Sequence, residues 1–297
     1  MAIVQRLLCV GLMGLGLASC GDGRSPITSS PSVKSSPKAL PLYRVYELPH
    51  SSVHTLRIPV QGNFEVTVAV SPNLRTVAEF ATKNQAIAVL NGGFFDAQNE
   101  KTTAYLTQNG QIVGNPQDNE RLTQNPKLKP YLSQIFNRSE FRRYQCGTVN
   151  RYAIALHDAP IPPNCELKDA LGGGPRLLPT ITATEEGFWA ENQGKVIRDA
   201  IALKQRNART AIGIMPSGDL FWVMAAQKKE LGQNSGLSLP ELADFMRSQG
   251  VQEALNLDGG SSSGMYYQGK IFLGKITAKG EPVVRSVKSV LVLRSQF

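Results

Sequence analysis

An α+β fold, built on a mixed but largely antiparallel β-sheet with packed helices in a single catalytic-type domain, is predicted by three features of the 297-residue chain. Short runs of β-type residues recur from residue 42 onward, and most are joined by tight turns rather than by crossover lengths of chain. One segment, 238–250, carries a full set of helix boundary signals: Ser238 as the cap, Pro240 in the first turn and Gly250 after the end. Two helix–strand units of similar outline predict some parallel pairing. In one, Ala78-Glu79-Phe80 leads to Leu90-Asn91-Gly92-Gly93; in the other, Ala243-Asp244-Phe245 leads to Leu257-Asp258-Gly259-Gly260.

In chain order, residues 43–48 and 53–60 alternate loosely and read as strands. The alternation is clearer at 64–70, where Phe64, Val66, Val68 and Val70 share one face. Ser71-Pro72-Asn73 reads as a turn into a helix over 74–83. A buried strand at 86–90 runs into Asn91-Gly92-Gly93-Phe94-Phe95-Asp96, and strands at 103–107 and 111–113 follow about the turn Gln108-Asn109-Gly110. Residues 115–143 are polar with helical spacing at Leu128, Leu132 and Ile135, which predicts a helical insertion; its basic stretch, 127–143, is expected to be a solvated face. Further strands are expected at 151–157, 209–214 and 220–225, and the stretch 170–178 contains Gly172-Gly173-Gly174-Pro175-Arg176. A strand at 254–257 meets Asp258-Gly259-Gly260-Ser261-Ser262-Ser263-Gly264, and strands at 265–268, 270–273 and 287–293 close the domain.

The N-terminus reads as an export signal. Arg6 precedes an apolar run, 7–17, that is too short to span a bilayer and ends in Leu17-Ala18-Ser19-Cys20, a lipobox-like sequence. Residues 1–19 are thus expected to be a signal peptide, with Cys20 accepting lipid and anchoring the chain to the cell envelope. Residues 20–41, rich in Ser, Pro, Gly and Lys, offer little to bury and read as a tether; 42–297 is the globular part. With Cys9 removed and Cys20 lipidated, Cys146 and Cys165 form an even pair, for which a disulfide is expected in an oxidising compartment. The formal charge of +9 favours acidic partners. Nucleic acid is not expected, since the basic residues are scattered and lack aromatic interleaving.

Three glycine-rich loops carry the chemistry. Gly92-Gly93, Gly172-Gly173-Gly174 and Gly259-Gly260 each adjoin a short apolar strand, and paired glycines let backbone N–H groups approach an anion. Each loop has polar neighbours: Asn91 and Asp96, Arg176, and Asp258 with Ser261 and Ser262. Arg176, Arg209 and Arg285 stand beside apolar strands, and arginine supplies bidentate recognition of phosphate. Asp258, at the mouth of a buried strand, is placed for a raised pKa and acid–base work, although loop amides alone would also explain a carboxylate there. Gly260-Ser261-Ser262-Ser263-Gly264 matches the pattern of a nucleophile elbow, but a strand follows it and no histidine lies beyond residue 157, which excludes a serine-hydrolase triad. The 172–175 loop lacks the Gly-Lys-Ser/Thr of a phosphate-binding P-loop. No H-E-x-x-H or EF-hand pattern occurs, so neither metal nor cofactor is expected.

Taken in order, Asn91-Gly92-Gly93-Phe94-Phe95, Gly172-Gly173-Gly174-Pro175-Arg176-Leu177-Leu178, Arg209-Thr210-Ala211-Ile212-Gly213 and Asn256-Leu257-Asp258-Gly259-Gly260-Ser261-Ser262-Ser263 resemble the motif series of the phosphodiester glycosidase family. The resemblance covers roughly 86–293. Arg285-Ser286-Val287 resembles its closing segment, with Ser286 where the family usually has proline. The resemblance implies hydrolysis of a sugar-1-phosphodiester, releasing the sugar and leaving a phosphomonoester. It places Asp258, Asn91 and the three arginines around the ligand, with Thr210 and the loop glycines beside them. Asp258 would activate water or steady an oxocarbenium-like centre, and Asp96 is the candidate second carboxylate. An envelope lipoprotein that binds a sugar-phosphate polymer without cleaving it, and a phosphodiesterase that cuts the P–O bond on the other side, are the competing readings.

Overall fold

The computed structural model describes residues 40–296. The expected signal peptide, Cys20 and nearly all of the tether lie outside the described residues. Strands β1 (Leu42–Leu48), β2 (Ser51–Ile58) and β3 (Phe64–Arg75) come first, followed by helix α1 (Val77–Asn84) and β4 (Ala88–Asn91). A hairpin of β5 (Leu106–Gln108) and β6 (Gln111–Gly114) leads to the short helices α2 (Glu120–Thr123) and α3 (Leu132–Phe136). Strands β7 (Ser139–Cys146), β8 (Val149–Leu156), β9 (Glu166–Gly172) and β10 (Arg176–Leu178) follow, then a hairpin of β11 (Trp189–Asn192) and β12 (Lys195–Asp199). The chain closes through β13 (Arg209–Ile214), β14 (Leu220–Ala226), α4 (Leu239–Ser248), β15 (Glu253–Asn256), β16 (Gly264–Tyr267), β17 (Lys270–Leu273) and β18 (Val287–Ser295).

These strands form a six-stranded sheet, β1-β2-β14-β13-β15-β10, and two five-stranded sheets, β17-β16-β4-β18-β3 and β6-β5-β9-β7-β8. The alternation of side chains along each strand decides the layering. In β14, Leu220, Trp222 and Met224 point into the main core, while Phe221, Val223 and Ala225 point the other way, to where α4 packs with Leu242, Ala243 and Met246. In β18, Leu291 and Leu293 join the main core, whereas Val290 and Val292 meet Val77, Phe80 and Ala81 of α1. The main core therefore lies between the first two sheets, with one helix on the far face of each. Phe141 and Leu171 bring the third sheet to the same core. Among the described residues, no helix is long and apolar enough to cross a membrane.

The architecture is the expected α+β, with four corrections. Every strand pairing among the described residues is antiparallel, so the two helix–strand units create no parallel pair. Ser71-Pro72-Asn73 lies inside β3 rather than in a turn. β3 is an edge strand, where proline's missing N–H breaks no ladder, and the helix starts only after Thr76, which forms a capping box with Glu79. The helical insertion ends at Phe136, and residues 139–146 are the strand β7. Finally, the basic stretch is a solvated face only at Lys127 and Lys129: Arg138, Arg142 and Arg143 are buried. Arg142 pairs with Glu140, Arg143 with Asp169 and Glu65, and the Arg138 Nε donates to the Glu186 carbonyl. Cys146 and Cys165 are joined by the expected disulfide, which ties the end of β7 to the approach to β9.

Candidate active site

The three glycine corners meet. Asn91, at the end of β4, is fully buried, and its amide holds both ends of the loop that follows β15: its Nδ2 donates to the Asp258 carbonyl at 2.7 Å, and its Oδ1 accepts from the Gly264 N–H at 3.0 Å. The Thr210 hydroxyl, on β13, donates to the same Oδ1 at 2.8 Å. Both polar side-chain atoms of Asn91 are thus engaged in building the site, and Thr210 braces it. The Asp258 N–H donates to the Gly92 carbonyl, which joins the first corner to the third. The Gly92 N–H donates to the Ser289 carbonyl and the Gly93 N–H to the Ser289 hydroxyl on β18.

The middle corner is fastened through Asn256. Its Nδ2 donates to the Gly174 carbonyl, its own carbonyl accepts from the Gly174 N–H, and its N–H donates to the Pro175 carbonyl. Close approach explains the glycines at two positions. A Cβ on Gly93 would overlap the Gly172 carbonyl oxygen, and one on Gly173 would come within 2.7 Å of the Asn256 carbonyl oxygen. Beyond Asp258, the Gly260 N–H donates to the Ala208 carbonyl, so the loop is also secured to the entry of β13.

Asp258 is half-buried, and its carboxyl is pushed up to about 6 by burial, against the lowering influence of the Ser262 side chain, the Gly259 amide and the Arg285 charge. Arg285 lies over the ring of Phe95, its guanidinium carbon 5.5 Å from the ring centroid, and its buried Nε has no hydrogen-bond partner. Two more buried polar atoms around the same loop, Asn256 Oδ1 and Ser263 Oγ, also lack partners. Unpaired buried groups are costly, so three of them around one glycine-rich loop make it the candidate ligand site.

Two cavities flank the loop. A polar one of about 460 Å³ is bounded by Phe94, Asp199, Asn207, Arg209, Asn256 and the 258–260 segment. An apolar one of about 210 Å³ begins where the first ends, at Ser261, Ser262 and Ser263, and is walled by Val77, Ile271, Leu273, Val284 and Arg285. Phe94 and Phe95, adjacent in sequence, therefore serve different sides of the site.

The three arginines do not gather on one anion. Arg209 is buried and its guanidinium donates to four carbonyls, those of Leu237, Ile201, Ala202 and Gln205. It shapes the wall of the polar cavity, and burial lowers its pKa to about 10. Arg176 lines a different cavity, with Ser139, Thr182 and Glu186, and donates to the Ile154 carbonyl. Arg285 alone stands beside Asp258 with donor capacity open. Asp96 is also engaged elsewhere: its carboxylate accepts from Arg121 and from the Gln98 N–H, and although burial raises its pKa, these partners bring it below the ordinary value. Asp199, not Asp96, is the second carboxylate on the polar cavity, and it accepts from the Leu203 N–H at its rim.

Asn207, Asp199 and Ser289 carried no sequence signal of their own, because each belongs to a segment that reads as loop or ordinary strand. Asn256 stood inside a motif whose aspartate drew the attention. Glu186, fully buried, accepts from the Ser139 N–H and hydroxyl and from the Arg176 N–H, and so fixes the flank of the middle corner; nothing near it in sequence advertises that role. Among the described residues, no three His, Cys, Asp or Glu side chains are grouped to hold a metal ion.

No curated protein matches the chain in sequence. Solved structures do resemble it. The catalytic domain of zebrafish N-acetylglucosamine-1-phosphodiester alpha-N-acetylglucosaminidase, auto-inhibited by its pro-peptide, aligns at a TM-score of 0.62 with 18% identity, covering 88% of this chain and 85% of that one. A putative exported protein from Burkholderia pseudomallei aligns at 0.60 with 15% identity, over 82% of this chain and 74% of that one. A hypothetical protein from Synechocystis aligns at 0.55 with 15% identity, over 84% and 61%. At such identities these likenesses establish a shared fold. The sequence model of phosphodiester glycosidases matches residues 84–294, the span that contains all three glycine corners, Asp258 and Arg285, and the chain belongs to that family.

Proposed function

We propose that the protein is an exported, lipid-anchored hydrolase that cleaves the bond between the anomeric carbon of a sugar and a phosphodiester oxygen in envelope or extracellular glycans. The observation that carries this reading is the placement of Asp258, with its raised pKa, on a glycine-rich loop beside the unpaired Arg285 Nε. Family membership and the fold support it. The disulfide supports an oxidising compartment, in keeping with export and with a lipid anchor at Cys20.

In this reading the sugar occupies the polar cavity, where Asn256 Oδ1 offers an open acceptor to a hydroxyl and the Phe94 ring offers an apolar face. The phosphodiester anion lies against Arg285, Ser261 and Ser262. The ionised Asp258 takes a proton from water, the water oxygen bonds to the anomeric carbon, and the bond from that carbon to the phosphate oxygen breaks. Its electron pair stays on the phosphate, which leaves as a monoester with its charge held by Arg285. Asn91 and Thr210 act on the reaction only by holding the loop.

The test is turnover of a chromogenic sugar-1-phosphodiester by the purified protein, with release of free sugar and phosphomonoester. Asp258→Asn should abolish turnover while leaving the fold intact. With labelled water, the label should appear in the sugar; label in the phosphate would convict the P–O-cleaving alternative, and binding without product would make the protein a non-catalytic receptor. For the anchor, Cys20→Ser should shift the protein from the membrane fraction to the soluble one.

A further inference from the structure

The apolar cavity next to the 258–263 loop has no part in holding a sugar. Its walls are the aliphatic side chains of Val77, Ile271, Leu273 and Val284, and sugar hydroxyls placed there would lose hydrogen bonds to water without replacement. Yet it shares Ser261, Ser262 and Arg285 with the place where the phosphodiester is proposed to lie. Two of the unpaired buried groups, Ser263 Oγ and Arg285 Nε, belong to residues that line it. Ile271 and Val284 are half or more exposed, at 50% and 68%, so an apolar surface stands open to solvent at its mouth. Serine hydroxyls and a guanidinium beside aliphatic walls suit a group that is anionic at one end and apolar at the other.

We infer that the alcohol on the far side of the phosphodiester is apolar, an aryl or alkyl alcohol seated between Val77, Ile271, Leu273 and Val284, so that the substrate class is a sugar phosphate esterified to a lipid-like alcohol. This rests on the proposed reading of the site as a sugar-1-phosphodiester hydrolase. The cavity's 210 Å³ exceeds the roughly 150 Å³ apolar cavity that accepts a benzene ring, so one ring or the first several carbons of a chain fit. Hydrolysis on the sugar side leaves the apolar alcohol on the phosphomonoester. Changing that alcohol therefore alters binding far more than the chemistry of the leaving group.

The test uses the full-length protein and, for each of glucose 1-phosphate and N-acetylglucosamine 1-phosphate, three diesters that differ only in the second alcohol: methyl, glyceryl and benzyl. Full burial of a carbon is worth roughly fourfold in binding; with about half of the six carbons that benzyl adds fully buried in a cavity open at its mouth, the benzyl diester should exceed the methyl one in kcat/KM by on the order of 100-fold, with the glyceryl diester no better than methyl. Ile271→Asn combined with Val284→Asn, two substitutions of exposed residues, should bring the benzyl-to-methyl ratio toward one. Equal turnover of all three diesters, or a preference for glyceryl, overturns the inference and leaves the hydrolase reading standing. Should no diester be hydrolysed, the hydrolase reading falls, and binding measured by calorimetry with benzyl phosphate and methyl phosphate decides the cavity's role. Tighter benzyl phosphate binding that is lost in the double variant supports the apolar seat, and equal binding overturns it.

Discussion

Exchanging Asp258 for asparagine removes a charge that burial disfavours, and the consequence for stability depends on pH in a definite direction. The carboxyl titrates at about 6 in the folded chain against an ordinary 3.8. The folded state therefore binds this proton more tightly than the unfolded state does. Below about pH 4 both states are protonated and the group costs nothing beyond its desolvation as a neutral acid. Between about 4 and 6 the unfolded chain ionises first, so stability falls as pH rises, and above about 6 the loss is complete. At about 1.4 kcal/mol for each pH unit separating the two values, the loss amounts to about 3 kcal/mol. Asparagine keeps an oxygen to accept from Ser262 and from the Gly259 amide, but has no charge to desolvate. Asp258→Asn should then melt within a degree or two of the parent at pH 4 and about 6–12 °C above it at pH 8, using roughly 2–4 °C per kcal/mol for a domain of this size. Thermal unfolding followed by circular dichroism across that range is the assay. A difference in melting temperature that is the same at pH 4 and pH 8 refutes burial as the origin of the raised pKa. It would also remove the physical ground for singling out this carboxylate.

If Asp258 works as the base, kcat/KM should climb with pH through about 6 and level off; a profile that instead descends there would make it the acid. Gly93→Ala places a methyl against the Gly172 carbonyl oxygen and should cost about 1–3 kcal/mol in a urea melt, with turnover falling alongside as two of the three corners separate. Glu140→Ala leaves the buried Arg142 guanidinium without its carboxylate and should cost about 3–5 kcal/mol, so a variant as stable as the parent would show that the three carbonyls Arg142 also reaches are sufficient. Cys146→Ser with Cys165→Ser opens a loop whose ends are 19 residues apart and should cost about 3 kcal/mol. Adding reductant to the parent should reproduce the same drop in melting temperature.

The α+β class and most strands were legible because they depend on signals that are local in sequence. Alternation gives Phe64–Arg75 its inward Val66 and Val68, and Ser238, Pro240 and Gly250 bound the best helix. What failed was information that only the partner supplies. Residues 139–146 read as the end of a helical insertion because Arg138, Arg142 and Arg143 interrupt any apolar alternation. Their burial is tolerable only because Asp169 and Glu65 on other strands, the Glu186 carbonyl in a loop and Glu140 on the same strand meet them. Two helix–strand units likewise look like parallel βαβ pieces until the neighbours of β4 and β15 are known, and both strands are flanked on each side by antiparallel ones.

The same distinction governs the site. That Gly92-Gly93, Gly172-Gly174 and Gly259-Gly260 would converge was readable, because a glycine with no local turn to justify it implies that some other backbone comes close, and here each loop is the backbone that the next one needs. Which polar side chains face a ligand was not readable, because residue type says what a group can bond and nothing about what it already bonds. Arg209 and Arg285 are alike in sequence context, each beside an apolar strand. The first has four carbonyls on its guanidinium and the second a buried nitrogen with none. Asn91 and Asn256 divide in the same way: one uses both side-chain polar atoms to tie the 258–264 loop, the other lines the polar cavity and has a side-chain oxygen with no partner. Counting the unmade bonds of buried polar groups, rather than the groups themselves, is therefore what separates the residues that build this site from those left to act in it.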